Sequence, residues 1–169
     1  LAKHFPEMTS GIITFAAIPK FIKNDDWPVG VSHGAFSTLK QTFSRQPKIA
    51  LKRFIMLQNQ NMHFTNSKNI TKLLAYIETA PLEIILRDLE LLEHTDLRSV
   101  VSALTIPQLN ILADNDRLVP SSIDDELKRL SPQSHNVIIK NAGHAMLISH
   151  TDECLTIIEN FINESIITQ

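Results

Sequence analysis

The part of the chain that follows Asp96 alternates between strand-like and helix-like segments, and this alternation limits the possible folds most. Two short apolar runs, QLNILAD and HNVIIK, have the composition of buried strands, and each precedes a segment with helical periodicity, SSIDDELKRL and TDECLTIIENFI. Strands that alternate with helices predict a parallel sheet covered by helices. An earlier β-branched run, GIITFAAIP, predicts another buried strand of that sheet.

A long helical segment separates this first strand from the later ones. Between about Phe36 and His94, apolar residues recur at the spacing of three or four helices, with no strand among them. We therefore divide the chain into the end of a first core half (1–24), a helical lid (25–95) and a second core half (96–169). The opening LAKHFPEM is typical of the last turns of a helix, so we expect the chain to begin within an element.

Charge is distributed unevenly along the chain, although the net charge is only -2. Residues 27–77 contain no Asp or Glu, and their basic residues are Lys40, Arg45, Lys48, Lys52, Arg53, Lys68 and Lys72. Such a segment predicts a surface that faces an anion, with a solvated basic face as the alternative. Nucleic acid is a poor candidate for that anion, because few aromatic residues accompany the basic ones and no RNA-binding motif is present.

Other composition features exclude further classes of protein. No apolar run has the length of a membrane span, so we expect no membrane association. The single cysteine, Cys154, cannot form an internal disulfide, which favours a reducing compartment and predicts a cytoplasmic protein. His144 and His150 do not have the spacing of a metal-ligand pair, so we predict no metal site.

Acidic and histidine side chains follow the two late strands. Asp114 and Asp116 lie in the loop after QLNIL, and His144 lies in the loop after HNVIIK. Because ligands bind beyond the carboxyl ends of parallel strands, these loops are expected to meet at one site. A carboxylate that bonds to one imidazole nitrogen leaves the other nitrogen free to move a proton. The alternative is that the aspartates form turns and that the histidine only fills space.

The two loops and three further motifs resemble a known family. The sequences D-x-L-V-P and G-H-A are similar to the acid and histidine motifs of the α/β-hydrolase superfamily. The motifs DDWP (25–28), HTDLRS (94–99) and GHAMLISH (143–150) resemble more narrowly the carrier-dependent methyl ester esterases of biotin synthesis. The resemblance implies the carboxyl-terminal part of an α/β-hydrolase fold, with parallel strands, flanking helices and a helical lid insertion.

The resemblance also implies roles for individual residues. Asp116 is the expected acid, since the family acid stands directly before x-L-V-P, and Asp114 is its competitor; His144 is the expected base. Phe54 is expected in the wall of an acyl pocket, against the alternative that it is a lid core residue. No cofactor is implied. The implied partner is an acyl carrier protein bearing a phosphopantetheine-linked acyl methyl ester. Its candidate contacts are Lys48, Lys52, Arg53, Lys68 and Lys72.

The motif GVSHG (30–34) matches G-x-S-x-G, the pattern of a nucleophile elbow. An elbow serine needs a buried strand directly before it, but IKNDDWPVG before Ser32 is polar and is interrupted by Pro28. We therefore interpret Ser32 as a turn residue at the entrance of the lid. The resemblance places the nucleophile before Leu1, in an amino-terminal half absent from this chain, so we expect the chain alone to be inactive and the complete protein to be a monomer.

The predicted function is hydrolysis of the methyl ester of a carrier-bound, pimeloyl-type acyl chain by a Ser-His-Asp esterase. Two alternatives remain open at this point. One is an esterase or C-C hydrolase of the same fold that acts broadly on small free substrates. The other is a non-catalytic binding module that has kept the fold without the chemistry.

Overall fold

A three-stranded parallel sheet lies at the centre of the computed structural model, which describes residues 2–58 and 81–167. The strands follow the order β1-β2-β3, and their ranges are β1 (Ile12–Phe15), β2 (Gln108–Ala113) and β3 (His135–Ile139). Both pairings are parallel, with Ile12 opposite Gln108 and Leu109 opposite His135. The parallel sheet predicted from the alternating sequence pattern is confirmed.

Helices account for most of the remaining described residues. They are α1 (His33–Arg45), α2 (Pro47–Gln58), α3 (Leu82–His94), α4 (Arg98–Val101), α5 (Ile123–Leu130), α6 (Met146–Ser149) and α7 (Thr151–Ile162). A short π-helix, Asn163–Ile167, follows α7. Within the described ranges, no helix combines the length and the apolar character that crossing a membrane requires.

The opening segment differs from the expected end of an α-helix. Its described residues form turns followed by a 3₁₀-helix, Pro6–Met8. Pro6 has no N–H to donate, so it cannot continue the hydrogen-bond pattern of an α-helix through this segment. The expectation of an α-helical end is therefore wrong for these residues.

The two faces of β2 contribute to different hydrophobic clusters. Leu109 and Ile111 pack in one buried cluster with Cys154 and Phe161 of α7. Leu112 points to the opposite face, where it packs with Ile123 of α5. Because both faces are covered, all six residues of β2 are buried, as expected for the central strand of a parallel sheet.

A row of polar side chains crosses the sheet on the face of α5. Thr14 Oγ1 donates to Asn110 Oδ1 at 2.7 Å, and Asn110 Nδ2 donates to Asn136 Oδ1 at 2.9 Å. Asn136 Nδ2 in turn donates to Asp124 Oδ1 at 2.8 Å. We call Thr14, Asn110, Asn136 and Asp124 the polar ladder; its strand residues are direct register partners in the sheet.

Helices α1, α2 and α3 have a hydrophobic core of their own. Its buried members are Phe36, Phe43, Ala50, Leu51, Ile55 and Leu89. An ion pair between Lys40 Nζ and Glu93 Oε2, at 2.6 Å, also joins α1 to α3. These three helices belong to the segment predicted to form the lid, while predicted helical residues within 59–80 lie outside the described ranges.

The two ends of the helical insertion meet beside the sheet. Lys20 forms an isolated antiparallel bridge with Asp96, and the Leu97 amide donates to the Pro19 carbonyl at 2.8 Å. The insertion therefore leaves and rejoins the sheet domain at one place.

Candidate active site

Asp116 and His144 come together at the carboxyl edge of the sheet. Asp116 follows β2, His144 follows β3, and His144 Nδ1 lies 2.8 Å from Asp116 Oδ2. Because an ionised carboxylate can only accept, the proton of this hydrogen bond lies on Nδ1. Nε2 is then left to accept a proton from another group, which is the arrangement of a general base oriented by an acid.

The carboxylate of Asp116 is held by the turn that follows it. Its Oδ1 accepts hydrogen bonds from the amides of Leu118, at 2.7 Å, and Val119, at 3.0 Å. The Asp116 side chain is fully buried, whereas 26% of the His144 side chain is exposed. The turn thus fixes one carboxylate oxygen and directs the other at the histidine.

The competing aspartate, Asp114, is directed elsewhere. Its Oδ1 accepts from Asn115 Nδ2 at 3.0 Å, and its amide donates to the Ile139 carbonyl at 3.2 Å. Of the two aspartates singled out from the sequence, the structure brings Asp116 to His144.

A cavity of about 310 Å³ opens beside His144. Residues from all three strand-end loops line it, including Ala16, Val119 and His144 itself. The opposite wall belongs to the lid segment and contains Phe36 and Phe54. The predicted pocket residue Phe54 and the predicted base therefore face the same apolar space.

The structure explains why Ser32 and Gly30 occur in GVSHG. Ser32 is the N-cap of α1, where its Oγ accepts from the Ala35 amide at 3.3 Å. Gly30 has a φ of +104°, and a Cβ at this position would overlap the Phe21 carbonyl oxygen. The motif therefore ends a turn and begins a lid helix; the residues before it include isolated bridges and turns, not a β-strand.

The predicted carrier contacts lie partly within the described ranges. Lys48, Lys52 and Arg53 are exposed on α2, while Lys68 and Lys72 lie outside the described residues. Lys40 differs from them because it is paired with Glu93 inside the lid.

Several parts of the site were not identified from the sequence. The amides of Leu118 and Val119 hold Asp116, and Phe21, Phe36 and Leu92 complete the cavity wall. The motif D-x-L-V-P indicates these two hydrogen bonds, because the side chain of an aspartate commonly accepts from an N–H two or three residues later in the chain. Helical spacing alone could not distinguish the wall residues from the lid core.

The described residues offer no metal centre. No group of three or more His, Cys, Asp or Glu side chains within 2–58 and 81–167 is arranged to hold an ion.

Solved structures establish the class of fold. The chain superposes on a bromoperoxidase from Bacillus anthracis with a TM-score of 0.83 and 19% identity, covering 92% of this chain and 58% of that one. An alpha/beta hydrolase from a Medee basin deep-sea metagenome library matches with a TM-score of 0.75 and 17% identity, over 96% and 59% of the two chains. The chain has part of the α/β-hydrolase fold, since it covers 58% and 59% of these two structures.

The sequence is similar to one particular kind of esterase. Over 159 residues, it is 32% identical to the pimeloyl-[acyl-carrier protein] methyl ester esterase of Serratia marcescens. The aligned region covers 93% of this chain. The chain spans 62% of the length of that relative. No family model matches the chain. The resemblance inferred from the sequence motifs is confirmed.

Proposed function

We propose that this chain supplies the acid and the base of a carboxylic ester hydrolase. The observation that carries the proposal is the bond between Asp116 and His144, with His144 facing an apolar cavity at the carboxyl edge of the sheet. In the proposed reaction, His144 Nε2 takes the proton of a serine as the serine oxygen attacks the ester carbonyl. The histidine then gives the proton to the leaving alkoxide, and water repeats the sequence to release the carboxylic acid.

We place the serine in a segment that precedes Leu1 in the complete protein. The Serratia relative is longer than this chain, which spans 62% of it, so a further segment of the complete protein has a precedent in its length. The outer edge of β1 supports it as well. Among the described strands, β1 is an edge strand that pairs only with β2, and an edge presents unpaired backbone groups that another strand can join. A preceding strand and nucleophile helix would fit beside that edge.

The proposed substrate is the methyl ester of a pimeloyl-type acyl chain attached to acyl carrier protein. The printed name of the relative supports this substrate class, and the apolar walls of the cavity suit an acyl chain. The exposed cations of α2 suit the acidic surface of such a carrier, because complementary charge speeds encounter and fixes orientation.

Substitutions at the aspartates test the proposed pair. In the full-length protein, Asp116→Asn should lower kcat for ester hydrolysis by about three to four orders of magnitude, because the amide favours the wrong tautomer of His144. His144→Ala should have a comparable effect. Asp114→Asn is the matched control, since it alters a neighbouring carboxylate of the same loop, and should change kcat less than about threefold. Equal activity of the Asp116→Asn and Asp114→Asn proteins would refute the assignment.

A fluorophosphonate probe tests the place of the nucleophile. The probe should label the full-length protein. It should label the Ser32→Ala variant equally well, because the Ser32 side chain caps α1. Labelling that disappears with Ser32→Ala would overturn the placement. A full-length protein that is neither labelled nor hydrolytic would favour the binding-module alternative.

Charge reversal on α2 distinguishes the carrier-dependent esterase from a broad esterase for small free substrates. The triple variant Lys48→Glu, Lys52→Glu, Arg53→Glu should raise KM for the carrier-bound ester by at least about tenfold and leave a short free ester unaffected. Arg87→Glu is the control, since Arg87 is an exposed cation on α3 of the same lid. Equal responses of the two substrates to the triple variant would contradict the carrier proposal.

A further inference from the structure

A cluster of charged side chains joins the two ends of the lid. Arg98 Nη2 lies 2.7 Å from Asp96 Oδ2 and 3.1 Å from Asp26 Oδ2, and Lys20 Nζ lies 3.6 Å from both carboxylates. We call these four residues the Arg98 cluster. Since Asp26 lies at the entrance of the insertion and Asp96 at its exit, one guanidinium holds both ends together.

The same guanidinium covers a buried tryptophan. Arg98 Cζ lies 5.5 Å from the centroid of the Trp27 ring, within cation–π range. Trp27 is only 2% exposed, and its Nε1 donates to the Lys20 carbonyl at 2.9 Å. One face of the ring and its polar edge are therefore both fixed by the base of the lid.

The apolar surroundings of Trp27 lead to the active-site turn. Trp27 belongs to one buried cluster with Leu112, Val119 and Ile123. Leu112 lies in the strand that leads to Asp116, and the Val119 amide is one of the two donors that hold its carboxylate. Trp27 thus lies between the Arg98 cluster and the turn that orients Asp116.

We infer that Trp27, held in place by Arg98, is a positioning residue for the Asp116–His144 pair. It supports the turn through the buried cluster that it shares with Val119, and it is not itself one of the reacting groups. The inference rests on the proposed function of that pair. It assigns a role to DDWP and HTDLRS, because Trp27 belongs to the first motif and Arg98 to the second.

The test uses the full-length protein and two readouts. The first is the low-field proton NMR signal of His144 Nδ1–H, which requires a persistent bond to Asp116. Two variants should speed the exchange of this proton with water at least tenfold. Trp27→Phe keeps a ring but loses the indole N–H, and Arg98→Met keeps an apolar stem but loses the charge. The second readout is ester hydrolysis, for which both variants should lower kcat about tenfold and leave KM within about twofold.

Two controls separate positioning from general loss of stability. Phe161→Leu removes buried volume on the other face of the sheet and should leave the Nδ1–H signal and kcat unchanged at temperatures where it is folded. Arg87→Met removes an exposed arginine of α3 and should likewise leave the Nδ1–H signal and kcat unchanged. Arg98→Lys keeps the positive charge and should recover part of the kcat lost in Arg98→Met.

The outcomes distinguish the inference from the function on which it rests. A normal Nδ1–H signal and normal kcat in folded Arg98→Met would overturn the positioning role even if Trp27→Phe failed to fold. If His144→Ala kept full hydrolytic activity, the proposed function would fail. Rapid Nδ1–H exchange in Arg98→Met would still support the structural link between the lid base and the pair.

Discussion

Gly30 and Gly34, the two glycines of GVSHG, have opposite requirements. Gly30 has a φ of +104° and lies against the Phe21 carbonyl, so Gly30→Ala should destabilise the protein by about 1–3 kcal/mol. Gly34 lies in the first turn of α1 with open space around it, so Gly34→Ala should be neutral or stabilise by up to about 1 kcal/mol. Urea denaturation measures both changes. Equal effects of the two substitutions would contradict the local explanation of the motif.

Contacts between individual residues of the candidate site could be predicted where a motif fixes their position in a loop. The position before x-L-V-P favours Asp116 over Asp114, and the carboxylate of Asp116 is the one that contacts His144. The Arg98–Trp27 contact could not be predicted in this way, because the two residues lie on opposite sides of a long insertion. Only the tertiary structure shows that the ends of this insertion meet.

At the scale of elements, the ends of the helical insertion depend on an ionised aspartate. Hydrogen bonds from Arg98 outweigh the effect of burial and lower the pKa of Asp96 to about 2. Since the ordinary aspartate pKa is about 3.9, the ionised form of Asp96 contributes stability that is complete above that pH and is lost as the pH falls towards about 2. The difference in Tm between the wild type and Asp96→Asn should therefore be largest near neutral pH and shrink below about pH 4.

The control for this prediction is Asp125→Asn, which removes an exposed carboxylate from α5. It should show a smaller difference in Tm from the wild type across the same pH range. If the difference in Tm between the wild type and Asp96→Asn stayed constant from pH 7 to below pH 3, the ion pairs of Asp96 would not stabilise the base of the insertion.

Secondary structure elements were predictable where the pattern of apolar residues is regular. The strands β2 and β3 and the helices α5 and α7 agree with the sequence, because alternation and helical spacing report burial directly. The 3₁₀-helix Pro6–Met8 could not be distinguished from an α-helix in the sequence, because three residues are too few to show a period. Which lid side chains face the cavity depends on how three helices pack, and periodicity does not report that.

At the scale of the whole molecule, the polar ladder links all three strands and α5. Asn110→Leu should destabilise the protein by about 1–3 kcal/mol, because it removes the acceptor of Thr14 Oγ1 and one of the donors to Asn136 Oδ1 on a partly buried face, while Asn136 keeps its bonds to Ser134 and Asp124. Thr14→Val, at the end of the ladder, removes a single bond and should cost about 1 kcal/mol. Denaturant titration gives both values. An Asn110→Leu protein as stable as the wild type would show that the ladder makes no net contribution.

The ladder also bears on how the chain reaches its native state. Strands β1 and β2 are separated by the whole helical insertion, and joining strands so distant in sequence is slow because a long loop must close first. During that search, a shift of one residue would turn Asn110 towards the apolar cluster of α7 and leave its amide without a partner. We expect the ladder to disfavour such a misaligned pairing, so that it specifies the register of the sheet as well as stabilising it.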